Sequence, residues 1–415
     1  MSGLHPSAPF AADPQQGPRA LLRVISGHVC LHASMAGMRL ASPLWALQHG
    51  YGPLAVGFLL ALFSLSQVFL ALPAGRFADR HGLRKPVSRA VVAATIGASA
   101  AVVFPHFFVL CFAALMMGGA TGAASIALQR HVGRAAADAT DLRRVFSWLS
   151  IGPAISNFLG PVCAGLLIDY AGVWLGGSAA DRNGFVAAFA LTALLPSLAW
   201  LCVRSTRELE PIVHEGGVAP SAWPLLKGPI MRRLLLVNWL LSSCWDVHTF
   251  VVPVLGHERG YSASVIGTIL GAFAVAAAVV RVFLPMLAAR LREWAVVTAA
   301  MVVTAVLFAV YPLMPSAWAM GVCSVLLGLA LGTVQPMIMS MLHQITPHAL
   351  HGQAIALRLM TINLSSVLMP MLFGTAGVVV GVSVVFWTVG ALVGLGSHAA
   401  WGLRVGSHTG SPSKL

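Results

Sequence analysis

The sequence predicts an all-α polytopic membrane protein, with twelve transmembrane helices in two pseudo-symmetric six-helix bundles. Three observations carry this. The 415-residue chain is 58% hydrophobic and only 9% charged, whereas a soluble domain carries about a quarter charged residues. Apolar runs of about 18 residues or more, long enough to cross a bilayer as helix, recur along the whole length. The second half of the chain also repeats a pattern found in the first. A transmembrane β-barrel is excluded, because its strands would read as alternating segments of about ten residues.

The opening stretch "MSGLHPSAPFAADPQQGPR" is polar, Pro-rich and without an apolar h-region, so residues 1–21 read as a disordered cytoplasmic tail, not a signal peptide. Spans follow at 22–47, 54–74, 87–104, 107–128, 146–168, 184–203, 234–255, 264–285, 295–313, 317–342, 353–373 and 379–401. The longest polar interruption, 204–233, is a cytoplasmic linker between an N-terminal bundle (22–203) and a C-terminal bundle (234–401), and 402–415 is a second cytoplasmic tail. All six cysteines lie in apolar runs, far apart and without metal-binding spacing, so they read as small hydrophobes and no metal or cofactor is expected.

Loop charge orients the spans. With the N-terminus in the cytoplasm, the basic residues at 76–89, in "RHVGRAAADATDLRR", in the linker and in the C-terminal tail share one side. Only Arg182 and Arg259 lie opposite. The positive-inside rule then places both termini in the cytoplasm of a cell inner (plasma) membrane. Basic loops beside an anionic leaflet account for the net charge of +13 without nucleic acid. The partners expected are the lipid bilayer, a small-molecule solute and protons, for a chain that works as a monomer.

The repeat is found by sliding the chain 210 residues. "HGYGPLAVG" (49–57) falls on "RGYSASVIG" (259–267), matching Gly50 to Gly260, Tyr51 to Tyr261 and Gly57 to Gly267. The same offset carries Pro43 to Pro253, Arg80 to Arg290, Gly118 to Gly328 and Gly122 to Gly332, while 209 carries Pro161 to Pro370 and Gly165 to Gly374. Duplicated halves are the build of many secondary transporters, with the substrate site near the midplane between halves that rock against each other.

Between spans two and three lies "GRFADRHGLRKP" (75–86). Gly75 suits close helix approach, Gly82 a tight turn, and Asp79 beside Arg80 charge-assisted bonds between helix ends. This loop resembles the motif G-x-x-x-D-R-x-G-R-[RK] of the major facilitator superfamily. Gly75, Asp79, Arg80, Gly82 and Lys85 fit, while Leu83 stands where a basic residue is usual. The resemblance covers essentially the whole chain. It implies that Asp79 contacts a helix of the other half and latches one conformation. The second-half counterpart (285–294) keeps Arg290 but has Ala289 at the acid's position, so two equal gates are not expected. Span five, "SWLSIGPAISNFLGPVCAGLLID", resembles the superfamily's antiporter motif at Gly160, Pro161 and Gly165, with Ser147, Ser156 and Ala164 where glycines are usual. That implies export in exchange for protons. The same small residues also serve plain helix packing with no directional meaning.

An ionised side chain at mid-span costs about 2.5–3.5 kcal/mol on insertion scales. Asp246, in "SSCWDVHTF" of span seven, reads as the only acid well inside a helix, and Arg39 of span one as the deepest base. Arg281 and Arg358 lie near cytoplasmic helix ends and are expected to snorkel. The repeat puts Arg39 and Asp246 on equivalent helices about a turn apart in depth, and the resemblance implies that both helices line the central cavity. The two are expected to pair, directly or through water, in one state and to separate in another, although a permanent structural pair fits equally. His248, two residues on, points elsewhere but is close enough to relay protons. Asn157, Gln335 and Asn363 are polar candidates for the solute site, or bond only to nearby carbonyls.

The function expected is secondary active transport of a small organic solute by proton-coupled efflux. Proton-coupled uptake of an organic anion is the alternative, which Arg39 favours, and a transport-inactive membrane sensor is another. No Walker sequence is present, which argues against ATP coupling within the chain. His343, His348 and His351 surround a loop without H-E-x-x-H spacing, so a membrane-embedded enzyme is not expected.

Overall fold

The computed structural model describes residues 18–135, 139–208, 223–288, 292–346 and 351–404. Within these, the long elements are α1 (Pro18–Gln48), α2 (Pro53–His81), α3 (Arg84–Val103), α4 (Phe107–Ala135), α5 (Ala139–Trp174), α6 (Arg182–Val203), α7 (Pro229–Glu258), α8 (Ala263–Ala288), α9 (Glu293–Val310), α10 (Ala317–Ile345), α11 (His351–Val380) and α12 (Val382–Trp401). Eleven are long and apolar enough to cross a membrane. The other, α1, carries Arg23, His28, His32 and Arg39, and it buries His28 in the protein instead of offering it to lipid.

Local chemistry sets the boundaries. Pro53 and Pro229 open α2 and α7, where an absent N–H costs no helix bond. The Asp181 carboxylate accepts from Gly184 N at 2.9 Å to cap α6, and Ser316 Oγ accepts from Ala319 N at 3.3 Å to cap α10. Gly82 (φ +74°) closes α2, and the equivalent turns after α1 and α7 use Gly50 (φ +82°) and Gly260 (φ +72°). Left-handed backbone of this kind favours glycine.

Successive helices run in opposite directions. One end of the bundle, here the terminal face, carries Pro18, Arg404 and the connections after α2, α4, α6, α8 and α10. The opposite face carries the other connections. In the first half α1 packs on α4, α5 and α6, α2 and α3 pack on α4, and α3 on α6. The second half repeats this: α7 on α10, α11 and α12, α8 and α9 on α10, and α9 on α12. The halves meet along α5·α8, α2·α11 and α1·α7.

Matched glycines occupy matched places. A Cβ on Gly118 would strike the Phe63 carbonyl, and one on Gly328 would strike that of Phe273, 210 residues on. Gly332 sits against the backbone of Ala277 as Gly122 sits against Gln67. These small residues let helix backbones approach closely, which is how membrane helices pack without a hydrophobic drive. Large apolar side chains such as Phe69, Phe108, Trp318 and Leu395 lie on the outside, as lipid contact requires.

Two expectations are corrected. Helix α5 runs to Trp174, beyond the expected end at 168, so Asp169 is a helical residue only 6% exposed. Asp246 is therefore not the only buried acid in the helices. Arg358 does not snorkel: it is 6% exposed, and among the described residues its Nε and Nη2 have no partner. Arg281 is half-buried, donates to the Gly332 carbonyl at 3.2 Å and lies over the Trp245 ring. Residues 1–17 and 405–415, most of the linker (209–222), Ala289 and Arg290, and the Asp79 side chain lie outside what is described.

Candidate functional site

At the centre of the second half, Asp246 of α7 faces α11. Its Oδ2 accepts from Ser365 Oγ at 2.8 Å and its Oδ1 from Ser366 Oγ at 3.0 Å. Ser365 Oγ lies 3.1 Å from Ser243 Oγ, and Ser243 Oγ is 2.8 Å from the Trp239 carbonyl. Ser243 and Asp246 share a face of α7 at a spacing of three, and Ser365 and Ser366 are adjacent on α11. This chain of hydroxyls can run in either direction. With the carboxylate ionised, Ser243 donates to Ser365 and Ser365 donates to Asp246. With a proton on Oδ2, Asp246 donates to Ser365, Ser365 to Ser243, and Ser243 to the Trp239 carbonyl. Every hydroxyl proton keeps an acceptor in both states, which a buried carboxyl needs if it is to change charge without leaving a polar atom unpaired.

Arg39 lies across the interface on α1, half-buried, close enough to Asp246 for each charge to act on the other. Among the described residues no ion pair or hydrogen bond joins them, and the donors on the two carboxylate oxygens are the serines. On the same helix, His32 lies two turns before Arg39. His32 meets His28 edge-on at 5.9 Å, and His28 Nε2 is 3.2 Å from Ser125 Oγ. This pair was not anticipated, although the i, i+4 spacing of two histidines in an apolar helix was a signal for it.

His248 belongs to a different cluster. Its Nε2 is 2.9 Å from Ser324 Oγ, which is 2.8 Å from Tyr311 Oη, and its ring stacks on Phe273 at 4.1 Å. It is fully buried and has no bond to Asp246. Asn157, Gln335 and Asn363 are all half-buried. None of their side chains bonds to another described residue.

The span-five motif works on two sides of α5. Gly160 lies against Ala33 and Gly37 of α1, where a Cβ would come within 2.6 Å of the Ala33 carbonyl. The Pro161 carbonyl lies where a Cβ on Gly267 of α8 would sit, and a Cβ on Gly165 would come within 2.5 Å of the Ala263 carbonyl. The repeat provides the matching contacts, Gly57 of α2 on the Pro370 carbonyl and Gly374 of α11 on that of Pro53. All four lie toward the opposite face, where the halves are sealed backbone to backbone. Near the terminal face, a Cβ on Gly75 would meet nothing within 4 Å.

The rest of the 75–86 loop is bound by the linker. Glu208 accepts from Leu83 N at 2.7 Å and from Arg84 N at 2.5 Å, capping α3, while Arg84 Nε donates to the Thr206 carbonyl at 2.8 Å. Arg80 and Lys85 are exposed. Arg130 of α4 donates to the Ala78 carbonyl at 3.0 Å. Glu208 and Asp169 both escaped the sequence reading: Glu208 lies in the linker, and Asp169 is the last residue of the span-five stretch, one past the expected end of the span. For Asp169 the signal was present: Pro161, Gly165 and Asp169 recur every four residues along one face of α5.

Known proteins match this architecture. The class C tetracycline resistance protein of Escherichia coli is 26% identical over 231 residues, 55% of this chain and 56% of that protein, so the match spans little more than half of the relative. A peptide transporter POT solved in complex with sulfate shares the fold, with a TM-score of 0.77 at 13% identity, over 96% of this chain and 98% of that one. So does a bacterial homologue of the human lysosomal transporter Spinster, solved inward-facing and occupied, with a TM-score of 0.75 at 14% identity, over 95% and 98% of the two chains. The family model of the Major Facilitator Superfamily matches residues 24–261 and 234–414. From its duplicated six-helix halves to this match across nearly its whole length, the chain belongs to the Major Facilitator Superfamily of membrane transporters.

Proposed function

We propose that the protein exports a small organic solute in exchange for protons, with Asp246 as the residue that carries the proton. The observation that carries the reading is the reversible hydroxyl chain around Asp246, which serves a carboxyl group that gains and loses a proton inside the membrane. The resistance function in the name of the E. coli relative and the antiporter-like Gly160–Pro161–Gly165 stretch support the outward direction.

In this reading the terminal face is cytoplasmic, the chain acts as a monomer in the inner membrane, and the present conformation is open toward the cytoplasm and sealed at the other face. Solute reaches the midplane between the halves, where Arg39, Asn157, Gln335 and Asn363 offer polar atoms. The bilobed body then rocks. Asp79, with Arg80, Gly75, Gly82 and Lys85 around it, latches the cytoplasmic face when that face closes. Arg39 and Asp246 stand in opposite halves, and protonation of Asp246 removes the attraction between their charges, which links the proton to the rocking of the halves. His248, locked to Ser324, has no part in this path.

Arg39 also favours a second reading, uptake of an organic anion with a proton, because no protein carboxylate is bonded to it among the described residues. Purified protein in vesicles with an imposed pH gradient separates the two when offered a mixture of organic anions and cationic drugs. An exchanger accumulates its solute in vesicles that are acid inside, and a symporter in vesicles that are acid outside. Equal movement under both gradients would remove proton coupling altogether.

A further inference from the structure

The seal at the opposite face is symmetric in its glycines but not in its charge. Asp169 lies on α5 in the first half, and its carboxylate accepts from two backbone amides of the second half: Ala263 N to Oδ1 at 3.1 Å and Ser264 N to Oδ2 at 2.7 Å. These are the first two amides of α8, which have no partner within their own helix. The next amide, Val265 N, is bonded at 3.4 Å by Ser262 Oγ from α8's own cap. The helix therefore begins with two of its free donors held by the other half of the molecule. Asp169 is 6% exposed, with the Ala263 bond buried and the Ser264 bond partly so, and charge-assisted bonds at the positive end of the helix dipole are strengthened by shielding from water.

Among the described residues nothing equivalent is built on the other arm. The residue of α2 that corresponds to Ala263 is Pro53, which has no N–H, and α2 has no side-chain cap. The residue of α11 that corresponds to Asp169, at the 209 offset that matches Pro161 to Pro370, is Val378. Among the described residues one arm of the seal is thus glycine packing, and the other is glycine packing with a carboxylate bridging the halves.

We propose that Asp169 is the latch of this seal, a positioning residue that holds the opposite face shut by capping α8 across the interface and must release both amides for that face to open. The proposal rests on the alternating-access reading and adds to it a residue that biases the balance between states. It also gives the chain one acid for each face, Asp169 here and Asp79 at the terminal face, both in the first half, with Val378 and Ala289 at the corresponding positions of the second.

The test is the distance between spin labels at the exposed positions Leu175 and Glu258, one in each half at this face, on a background with the six native cysteines replaced. Asp169→Asn puts an amide N–H₂ against two donors, and Ala263→Pro removes one donor while reproducing the helix start used by α2. Each is expected to add a longer-distance population and to raise the open-to-closed ratio about tenfold, the scale of losing a hydrogen bond to a charged group. Asp181→Asn, which weakens a cap inside one half, should leave the distribution unchanged. Gly267→Trp serves as a wedge, since even a Cβ there meets the Pro161 carbonyl. If the wedge lengthens the distance while Asp169→Asn and Ala263→Pro do not, or if Asp181→Asn acts as strongly as they do, Asp169 is no latch. A wedge that opens nothing overturns the alternation as well.

Discussion

A carboxylate held by two serine hydroxyls and facing an arginine it does not touch is an unusual thing to find inside a membrane. Insertion of such a charge is costly, so a purely structural Asp246 would be expected to sit in a direct ion pair. Here Ser365 and Ser366 bind both carboxylate oxygens, and no ion pair with Arg39 is formed among the described residues. The arrangement suits a group whose charge changes during the cycle. Ser365→Ala should therefore reduce proton-coupled uptake into vesicles about tenfold, because it interrupts the hydroxyl chain in both protonation states and removes a bond to a charged group. Ser366→Ala, which leaves the Ser243–Ser365 segment intact, should do less. Equal losses for the two serines would argue that they merely solvate the carboxylate. In the sequence Asp246 and Arg39 stood out by charge alone, whereas serines are common in membrane helices, and only the crossing of α7 and α11 shows which of them matter.

Helix ends and helix crossings carry the next level of control. Glu208 binds the amides of Leu83 and Arg84, the N-cap and first residue of α3, and so ties the linker to the charged loop after α2. Glu208→Ala should cost about 1 kcal/mol of local stability, visible as faster hydrogen exchange at Leu83 and Arg84, with the Asp181 cap of α6 as an internal control. At the crossing of α2 and α4, Gly118→Val would force a side chain into the Phe63 carbonyl. The expected loss is about 1–3 kcal/mol, measured as a lowered thermal midpoint in detergent, and Gly328→Val should match it because Gly328 meets Phe273 in the same way. Such pairs explain why the repeat survives at glycines in particular. A position that touches a neighbouring backbone accepts no other residue without moving a helix, while the apolar positions between tolerate exchange.

For the whole molecule, the duplicated fold was readable because membrane helices announce themselves by length and hydropathy, and because Gly57, Gly118, Pro161 and Gly165 recur at nearly one offset. The interface between the halves was not. Asp169 looked like a residue past the end of its span, and its partners, two backbone amides of α8, leave no trace in side-chain sequence. Arg358 looked like a snorkelling end residue and is instead buried, since burial there is set by neighbouring helices and not by depth along one. The central claim joins these scales: movement of a solute between the two halves is coupled to a proton carried by Asp246. The direct measurement is solute-driven proton flux in vesicles, followed with an entrapped pH dye, for the wild-type chain and for Asp246→Asn. The account predicts that adding a transported solute moves protons through the wild-type protein and none through the variant, while the variant still binds or exchanges solute. Solute transport by the wild type with no accompanying proton movement, or undiminished proton movement in Asp246→Asn, would contradict it.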